Sequence, residues 1–576
     1  DGQTNYRWNW DTPMLISPHN PAAVFVAANR VFRSTDRGHE WAVISPDLTT
    51  NADRDELSLM GVPGNKITIA RNDGVGAYST ITTLAESPKR AGLYYAGTDD
   101  GQVQVSRDEG KTWANVTSKV TGLPANTDVS RVAPSRFDEG TVYATFDGHR
   151  ASDFNAYVFA STDFGATWKS VAGDLPKGQV ARTITEDLKS PNVLYLGTET
   201  GLFVSVDRGA RWMRVKANLP TVPIYEITLH PRDNAMLLAT HGRSIWILDD
   251  LAPFQQWAKA ASTDAFVFEA RPAVQRNPSN DRMKSFEGDR LFLGRNPEPG
   301  ALLSYSLKAK PKSVKLTIAD ASGTVVRELA GDALKDRTEP GVNIVTWDLR
   351  VEPLPLPAPA GQPAGPGGGG GFGGGGLNGP LVLPGEYRVT LSVDGREAGE
   401  TRLGVAGDPE ITIADADRRA WFETSLELHA LQRTANEAAD AVRAINDQLT
   451  SAQDMLKKAE NVPSGVKTRV DELAKQIEGL RRQFGLAGGG PGGGGGGFGG
   501  GQQNVRGRIG GLKNQVMAST SLPTATQTRQ VGEAKGVLAK AIDETNTAIA
   551  GMPAFYKLLS DNSVHPAGPK EIKPIK

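Results

Sequence analysis

Carboxylates are the residues whose setting in this chain could carry chemistry. Four of them recur in one frame: Ser34-Thr-Asp36-Arg-Gly38-His-Glu-Trp41, Ser106-Arg-Asp108-Glu-Gly110-Lys-Thr-Trp113, Ser161-Thr-Asp163-Phe-Gly165-Ala-Thr-Trp168 and Ser205-Val-Asp207-Arg-Gly209-Ala-Arg-Trp212. All read S-x-D-x-G-x-x-W. Glycosidic cleavage uses two carboxylates, one as acid and one as base or nucleophile, so a catalytic group is needed once or twice. A turn that the fold builds repeatedly needs its Asp in every copy. In such a turn Asp accepts backbone N–H groups, Gly supplies positive φ, and Trp covers the turn as the next strand starts. Asp36, Asp108, Asp163 and Asp207 are therefore read as structural. Three carboxylates outside the frame remain as catalytic candidates: Asp99 and Asp100, in Asp99-Asp100-Gly101, and Glu199, in Glu199-Thr-Gly201. Both segments follow the second strand of their repeat, and hairpin turns are the competing explanation.

Other chemistries find little support. The chain has no Cys, which removes disulfides, thiolate metal sites and Cys nucleophiles. Its seven His, at 19, 39, 149, 230, 241, 429 and 565, show no metal-binding spacing, so neither metal nor cofactor is expected. His241-Gly-Arg243 beside Trp246 could line a funnel, although a lone His near an apolar strand is more often a satisfied core residue. With 64 basic and 65 acidic residues the net charge is -1, which argues against nucleic acid as a partner. No apolar run approaches the roughly 18 to 20 residues of a membrane span.

The elements that must position the carboxylates form a repeat. In the fourth unit, Thr183-Ile-Thr185, Val193-Leu-Tyr-Leu196, Gly201-Leu-Phe-Val-Ser205 and the segment after Trp212 read as four short strands around one box. A fifth unit, from Ile224 to Leu248, lacks the box. Units of four short strands every 40 to 50 residues or so indicate β-propeller blades. The box is the Asp-box of the bacterial neuraminidase (BNR) repeat, and residues 1–255 resemble sortilin-type propellers and their bacterial BNR-like relatives. That resemblance implies boxes at outward blade turns, away from a central funnel where ligands bind. Xyloglucanase-type enzymes also combine many blades with Asp-boxes, which is the resemblance behind Asp99, Asp100 and Glu199 as candidates. A sialidase is disfavoured, because its Arg cluster, Tyr–Glu pair and early Arg-Ile-Pro motif are not visible as a set. Sortilin-type relatives have about twice five blades, and this chain opens into a blade at Tyr6-Arg-Trp-Asn-Trp10. Five blades in an open arc would leave an apolar flank at each end. The rest of the ring is therefore expected from another polypeptide or a second copy, with a closed five-bladed ring as the alternative.

Residues 256–410 read as an immunoglobulin-like β-sandwich with a Gly-rich insertion at 361–380, turns at Asp320-Ala-Ser-Gly323 and Asp394-Gly395, and Trp347 in the core. Residues 411–576 read as a helical hairpin or bundle with a Gly-rich linker at 487–503. Leu428, Leu431, Ala435, Ala438, Val442, Ile445, Leu449, Ala452 and Leu456 alternate three and four apart, and Val466 to Phe484 and Leu538 to Met552 continue the spacing. These stripes pack within the chain or form a seam for another. The functional expectation is an extracytoplasmic, non-catalytic propeller scaffold binding protein or glycan partners, forming the C-terminal part of a larger sortilin-like protein. A glycoside hydrolase and a surface or filament component, itself able to self-associate, are the alternatives.

Overall fold

The structure is a computed structural model, described over residues 5–59, 61–67, 77–276, 298–355, 377–459, 462–486, 504–565 and 571–575. Both Gly-rich tracts, expected as spacers, lie outside the described residues apart from residues 377–380. The chain forms two compact units, Asp1–Arg271 and Pro272–Lys576.

The first unit consists mainly of five antiparallel sheets. Four have four strands: Met14–Ile16, Val24–Ala27, Val31–Ser34 and Ala42–Val43; Ile81–Glu86, Tyr94–Thr98, Val103–Ser106 and Ala114–Asn115; Asp128–Pro134, Val142–Asp147, Tyr157–Ser161 and Lys169–Ser170; Ala181–Glu186, Leu194–Thr198, Gly201–Ser205 and Met213–Arg214. The fifth has three: Ile224–His230, Ala235–Thr240 and Ile245–Leu248. The expectation that a blade begins at Tyr6 is corrected, because the first strand begins at Met14. Side chains, not a ladder, hold the preceding segment: Arg7 donates to Asp47 at 2.7 Å and to the Ser79 carbonyl at 3.0 Å, and Asn9 to Thr80 at 2.7 Å.

Each box builds the same turn. Ser34 Oγ donates to Asp36 Oδ1 at 2.7 Å and accepts the Gly38 N–H at 2.8 Å, while Asp36 accepts the N–H groups of His39 and Glu40, both at 3.0 Å. Ser106 with Asp108, Ser161 with Asp163 and Ser205 with Asp207 repeat the arrangement at 3.0, 2.8 and 2.8 Å. These bonds favour the ionised Asp and hold Asp36, Asp108 and Asp163 below the usual carboxylate range. The residue before each Gly is left-handed as well: Arg37, Glu109, Phe164 and Arg208 have φ of 63°, 63°, 62° and 59°. The hydroxyl and carboxylate thus hold two consecutive left-handed residues, the first of them with a side chain that disfavours that backbone.

The boxes also join neighbouring sheets. A Cβ at Gly110 would meet the Ile44 carbonyl at 2.6 Å, and one at Gly209 the Val171 carbonyl at 2.7 Å, so Gly is required for contact as well as for φ. Trp113 and Trp212 donate their indole N–H to those same carbonyls, at 3.0 and 2.9 Å. Trp41 and Trp168 instead bond the carbonyl of their own box glycine, Gly38 and Gly165, both at 3.0 Å; Trp41 precedes every other described sheet and is 42% exposed, against 6% for Trp212. Trp212→Ala is accordingly expected to destabilise the first unit by about 3–5 kcal/mol and Trp41→Ala by roughly 1 kcal/mol or less, read from urea midpoints. Equal losses would contradict this account of the joints.

In the second unit a five-stranded sheet has the order Ala273–Gln275, Arg396–Gly407, Gly385–Val393, Val314–Asp320, Val325–Ala330, and Ala301–Leu307 pairs antiparallel with Gly341–Trp347. Trp347 is fully buried, with the Tyr387 ring 5.5 Å away edge-on. Asp394 and Gly395, at φ 50° and 77°, form the two-residue turn between strands. Among the described residues four helices follow: Asp415–Lys458, Ser464–Gln483, Val505–Met517 and Ala525–Asp561. They bury Leu428, Ala435, Ala438, Val442, Ile445, Leu449, Val466, Val470, Ile477, Leu480, Leu538 and Ile549 in one core, so the stripes are consumed within the unit. The Val505–Met517 helix has no counterpart in the sequence reading. Its Lys513 is fully buried and donates to His429 Nδ1 at 2.7 Å, whose Nε2–H reaches the Glu352 carbonyl at 3.0 Å.

Candidate functional site

A β-bulge recurs in the first strand of the second to fifth sheets. The ladder skips one residue between Ile81 and Thr83, Val129 and Arg131, Ala181 and Thr183, and Ile224 and Glu226. Thr82, Ser130, Arg182 and Tyr225 are the extra residues, and bulges of this kind re-aim a side chain. Counting from the bulge, Asp99, Asp147, Glu199 and His241 occupy one position of successive sheets, at the end of the second strand. The repeat therefore presents at one strand end a row of polar side chains that differ from sheet to sheet.

Arg182 links three of the sheets. Its Nε and Nη2 donate to Glu199 Oε2 at 2.9 and 2.6 Å, its Nη1 donates to Asp147, and its guanidinium lies 4.9 Å from the centre of the Tyr225 ring. The two carboxylates raise the already high pKa of Arg182 against the opposing effect of its burial. His149 Nδ1 donates to Asp147 at 2.7 Å. Tyr225 also stands 5.3 Å from His241, whose residue is exposed, contrary to the expectation of a core histidine. Across the same face Arg131 donates to Glu226 and, at 3.1 Å, to Thr183.

The remaining carboxylates are held differently. Asp99 accepts the N–H and hydroxyl of Thr80 at 2.8 and 2.7 Å, and burial pushes it up to about 6 despite those bonds. Asp128, opposite Asp147 in the ladder, has a buried Oδ1 without a hydrogen-bond partner. Burial and the charges of Asp99 and Asp147 push it up to about 7. Asp100 turns away, accepting the N–H and hydroxyl of Thr50 at 2.8 and 2.7 Å, and ties two sheets together. Of the sequence candidates, Asp99 belongs to the Asp128–Asp147 group, Glu199 to the Arg182 clamp, and Asp100 to a structural tie. Asp128, Asp147 and Arg182 were missed; aligning the units on their strand ends would have set Asp147 beside Asp99 and Glu199. Among the described residues no three or more of His, Asp and Glu are placed to hold a metal ion.

The raised carboxylates set a pH dependence. Folded Asp99 and Asp128 bind more protons than the unfolded chain between about pH 4 and 7, so the stability of the first unit should fall as pH rises through that window. At about 1.4 kcal/mol per pH unit the two shifts together give a fall of roughly 7 kcal/mol at most, and Asp128→Asn should remove a little over half of it. Unfolding midpoints from pH 4 to 7.5 that stay level in the wild type would contradict this.

No family model matches the chain. A xyloglucanase of Hypocrea jecorina (strain QM6a) is 28% identical over 143 residues, which are 23% of this chain and 17% of the xyloglucanase. Among solved structures, the GH74 xyloglucanase from Xanthomonas campestris is 20% identical and covers 41% of this chain and 36% of its own, with a TM-score of 0.32. PorZ, a surface component of the type-IX secretion system of Porphyromonas gingivalis, is 14% identical over 68% of this chain and 51% of its own, with a TM-score of 0.30. The chain thus spans about a sixth of one xyloglucanase and about a third of the other. These neighbours are β-propeller proteins, and the chain itself is mainly β, with multiple antiparallel sheets and a C-terminal helical region. Among the described residues no helix is long and apolar enough to cross a membrane.

Proposed function

We propose that this chain is an extracytoplasmic, non-catalytic scaffold whose five sheets are blades of a larger propeller, and whose end faces dock further Asp-box sheets. The observation that carries the reading is that both end faces repeat the residue pattern of the interior joints and yet lie bare. Leu202 and Val204 of the fourth sheet are covered by the fifth, each 1% exposed; the register-matched Ile245 and Ile247 of the fifth are 69% and 61% exposed. Ile184 faces the third sheet at 1% exposure, and its counterpart in the first sheet, Met14, is 74% exposed. A ring closed by these five sheets alone would cover both faces. Of the three counterparts of Trp41, Trp113 and Trp212 bond a carbonyl that follows the fourth strand of the preceding sheet, and Trp168 bonds its own Gly165 carbonyl as Trp41 bonds that of Gly38. The fifth sheet of a second copy has no fourth strand to offer. A complete Asp-box sheet outside these five is the fitting occupant.

A photocrosslinker at Ile16 in the native host tests this. The expected product joins Ile16 to a peptide carrying S-x-D-x-G-x-x-W followed by Val or Ile. A product with residues 224–248 of another copy, or no product, would sink the reading.

A glycoside hydrolase is the second reading, favoured by one observation: Asp128, half-protonated near neutral pH, beside Asp99 and Asp147, is the kind of pairing that supplies a general acid and a carboxylate. Against it, Arg182 already engages both Asp147 and Glu199. Reducing-sugar release from soluble polysaccharides, abolished by Asp128→Asn, would establish the enzyme; no release from any would remove it.

A further inference from the structure

We infer that Asp128, with Asp99 beside it, forms a site for a primary ammonium group at the strand ends of the second and third sheets. The inference deepens the scaffold reading, on which it rests for the idea that this face receives a partner, and it names the chemistry of the contact. Asp128 is the odd member of the carboxylate row. Asp99 accepts two hydrogen bonds from Thr80, Asp147 accepts from Arg182 and from the backbone and ring N–H groups of His149, and Glu199 accepts from Nε and Nη2 of Arg182. Among the described residues no donor reaches either oxygen of Asp128, and its Oδ1 is buried. A buried carboxyl oxygen without a partner is costly, and in a native fold such an atom points to a missing donor.

Backbone contacts fix where that donor would sit. Asp128 stands directly opposite Asp147 in the ladder of the third sheet, a pairing that sets Cβ atoms about 5 Å apart. The second sheet closes on it from the other side. A Cβ at Gly101 would lie 2.9 Å from Asn126 Cα and 3.0 Å from the Thr127 nitrogen, and one at Gly97 would lie 2.4 Å from Val129 Cγ1. Thr82 Oγ1 adds a hydrogen bond to the Val129 carbonyl at 2.9 Å. The turn that carries Asp99 therefore rests on Asn126 and Thr127, the two residues that lead into Asp128.

The balance of charge sets the sign of the ligand. Asp99, Asp128, Asp147, Glu199 and Glu226 line these strand ends. Arg182 is engaged by Asp147 and Glu199, and Arg131 by Glu226. Arg150, exposed in the turn after Asp147, is the remaining guanidinium whose charge acts on Asp99 and Asp128. Five carboxylates thus stand against three guanidinium groups, and the excess falls on Asp99 and Asp128, which makes the fitting ligand a cation. A metal ion needs three or more such groups around one point, which the described residues do not provide. A guanidinium pairs best with both oxygens of one carboxylate, and Oδ1 of Asp128 is buried. An ammonium is a compact charge with three donors and needs only Oδ2 of Asp128 and one oxygen of a neighbour. The site loads by exchange. In the empty protein, burial and the charges of Asp99 and Asp147 keep a proton on Asp128 up to about pH 7; the incoming R–NH3+ takes its place against the carboxylate, and the proton leaves to solvent.

The test titrates the full 576-residue chain by calorimetry with Nα-acetyl-lysine methylamide, with cadaverine, and with the neutral Nε-acetylated form of the first, in two buffers of different ionisation heat. At least one of the two amines should bind and the neutral compound should not, with close to one proton released per amine at about pH 6. Affinity should rise by roughly twentyfold from about pH 5.5 to about 7.5, because the proton to be displaced is held less often. Asp128→Asn should weaken binding about tenfold or more and abolish the proton release, and Asp99→Asn should weaken it by a smaller factor. An unfolding midpoint for Asp128→Asn at pH 7 no lower than that of the wild type separates loss of the site from loss of the fold. Tighter binding of the lysine derivative assigns the ammonium to a partner's side chain, and tighter binding of cadaverine assigns it to a free amine. No binding of either amine up to about 50 mM, equal binding of the neutral compound, unchanged affinity in Asp128→Asn, or binding of calcium in place of the amines would each overturn the inference. None of these outcomes bears on the crosslink at Ile16, so the site and the shared ring fail separately.

Discussion

Replacing Arg182 by leucine should lower the unfolding free energy of the first unit by about 3–5 kcal/mol at pH 7. The guanidinium is 9% exposed and serves two carboxylates at once, Asp147 at 5% and Glu199 at 40% side-chain exposure. Leucine keeps part of the aliphatic stem, loses the guanidinium that lies over Tyr225, and leaves Asp147 buried with the side chain and backbone N–H of His149 as its donors. Most of the loss is the desolvation of that stranded charge, not the worth of the pair itself, because pairing in the wild type offsets a penalty that both partners incurred on burial. The double variant Arg182→Leu with Asp147→Asn should therefore recover more than half of the loss. A cycle in which the two single effects simply add would show that Arg182 acts only through packing. Urea unfolding of the four proteins, followed by a probe confined to the first unit, decides it.

The Arg182 clamp also shows what could and could not be read from the chain. The boxes were legible because their frame is local: Ser, Asp, Gly and Trp lie within eight residues, and the hydroxyl, carboxylate and indole all act inside that span or on the next sheet. The strand order of the first unit was legible for the same reason, since each of its five sheets is built from consecutive strands. Arg182 gave no such signal, because it meets Asp147 across 35 residues and from a neighbouring sheet. Its direction depends on a bulge that no single unit reveals, as Thr82, Ser130 and Tyr225 share the position without sharing its chemistry. Asp128 was hidden likewise, since an Asp at the start of a strand reads as turn chemistry until its opposite number in the ladder proves to be another Asp. The Val505–Met517 helix was missed on composition. Gly507, Gly510 and Gly511 weaken its helical propensity, and its burial against the Asp415–Lys458 helix, with Trp421 donating to the Val516 carbonyl at 2.9 Å, overrides that weakness.

That same helix brings the second large expected effect. The stability of the second unit should rise with pH in two separate steps, one between about pH 4 and 6.5 and one between about pH 8 and 10.5. Burial, with Lys513 nearby, pushes His429 down to about 4, and burial, with Arg350 nearby, pushes Lys513 down to about 8. For a base whose pKa is depressed on folding, the unfolded chain binds more protons throughout the interval between the two values, so stability grows with pH across it. Each step is expected to be on the order of 3 kcal/mol, at about 1.4 kcal/mol per pH unit. The two steps are distinguishable by variant: Lys513→Met should remove the upper one, and should also shrink the lower one by withdrawing the cation beside His429. His429→Gln should remove the lower step while leaving the upper. The sign opposes that of the first unit, where Asp99 and Asp128 make stability fall from about pH 4 to 7, so a chain that unfolds in two transitions should show them moving in opposite directions over that range. Parallel movement of both transitions would mean that the buried lysine and histidine are solvated in the folded protein, with neither holding the neutral His429 link between Lys513 and the Glu352 carbonyl.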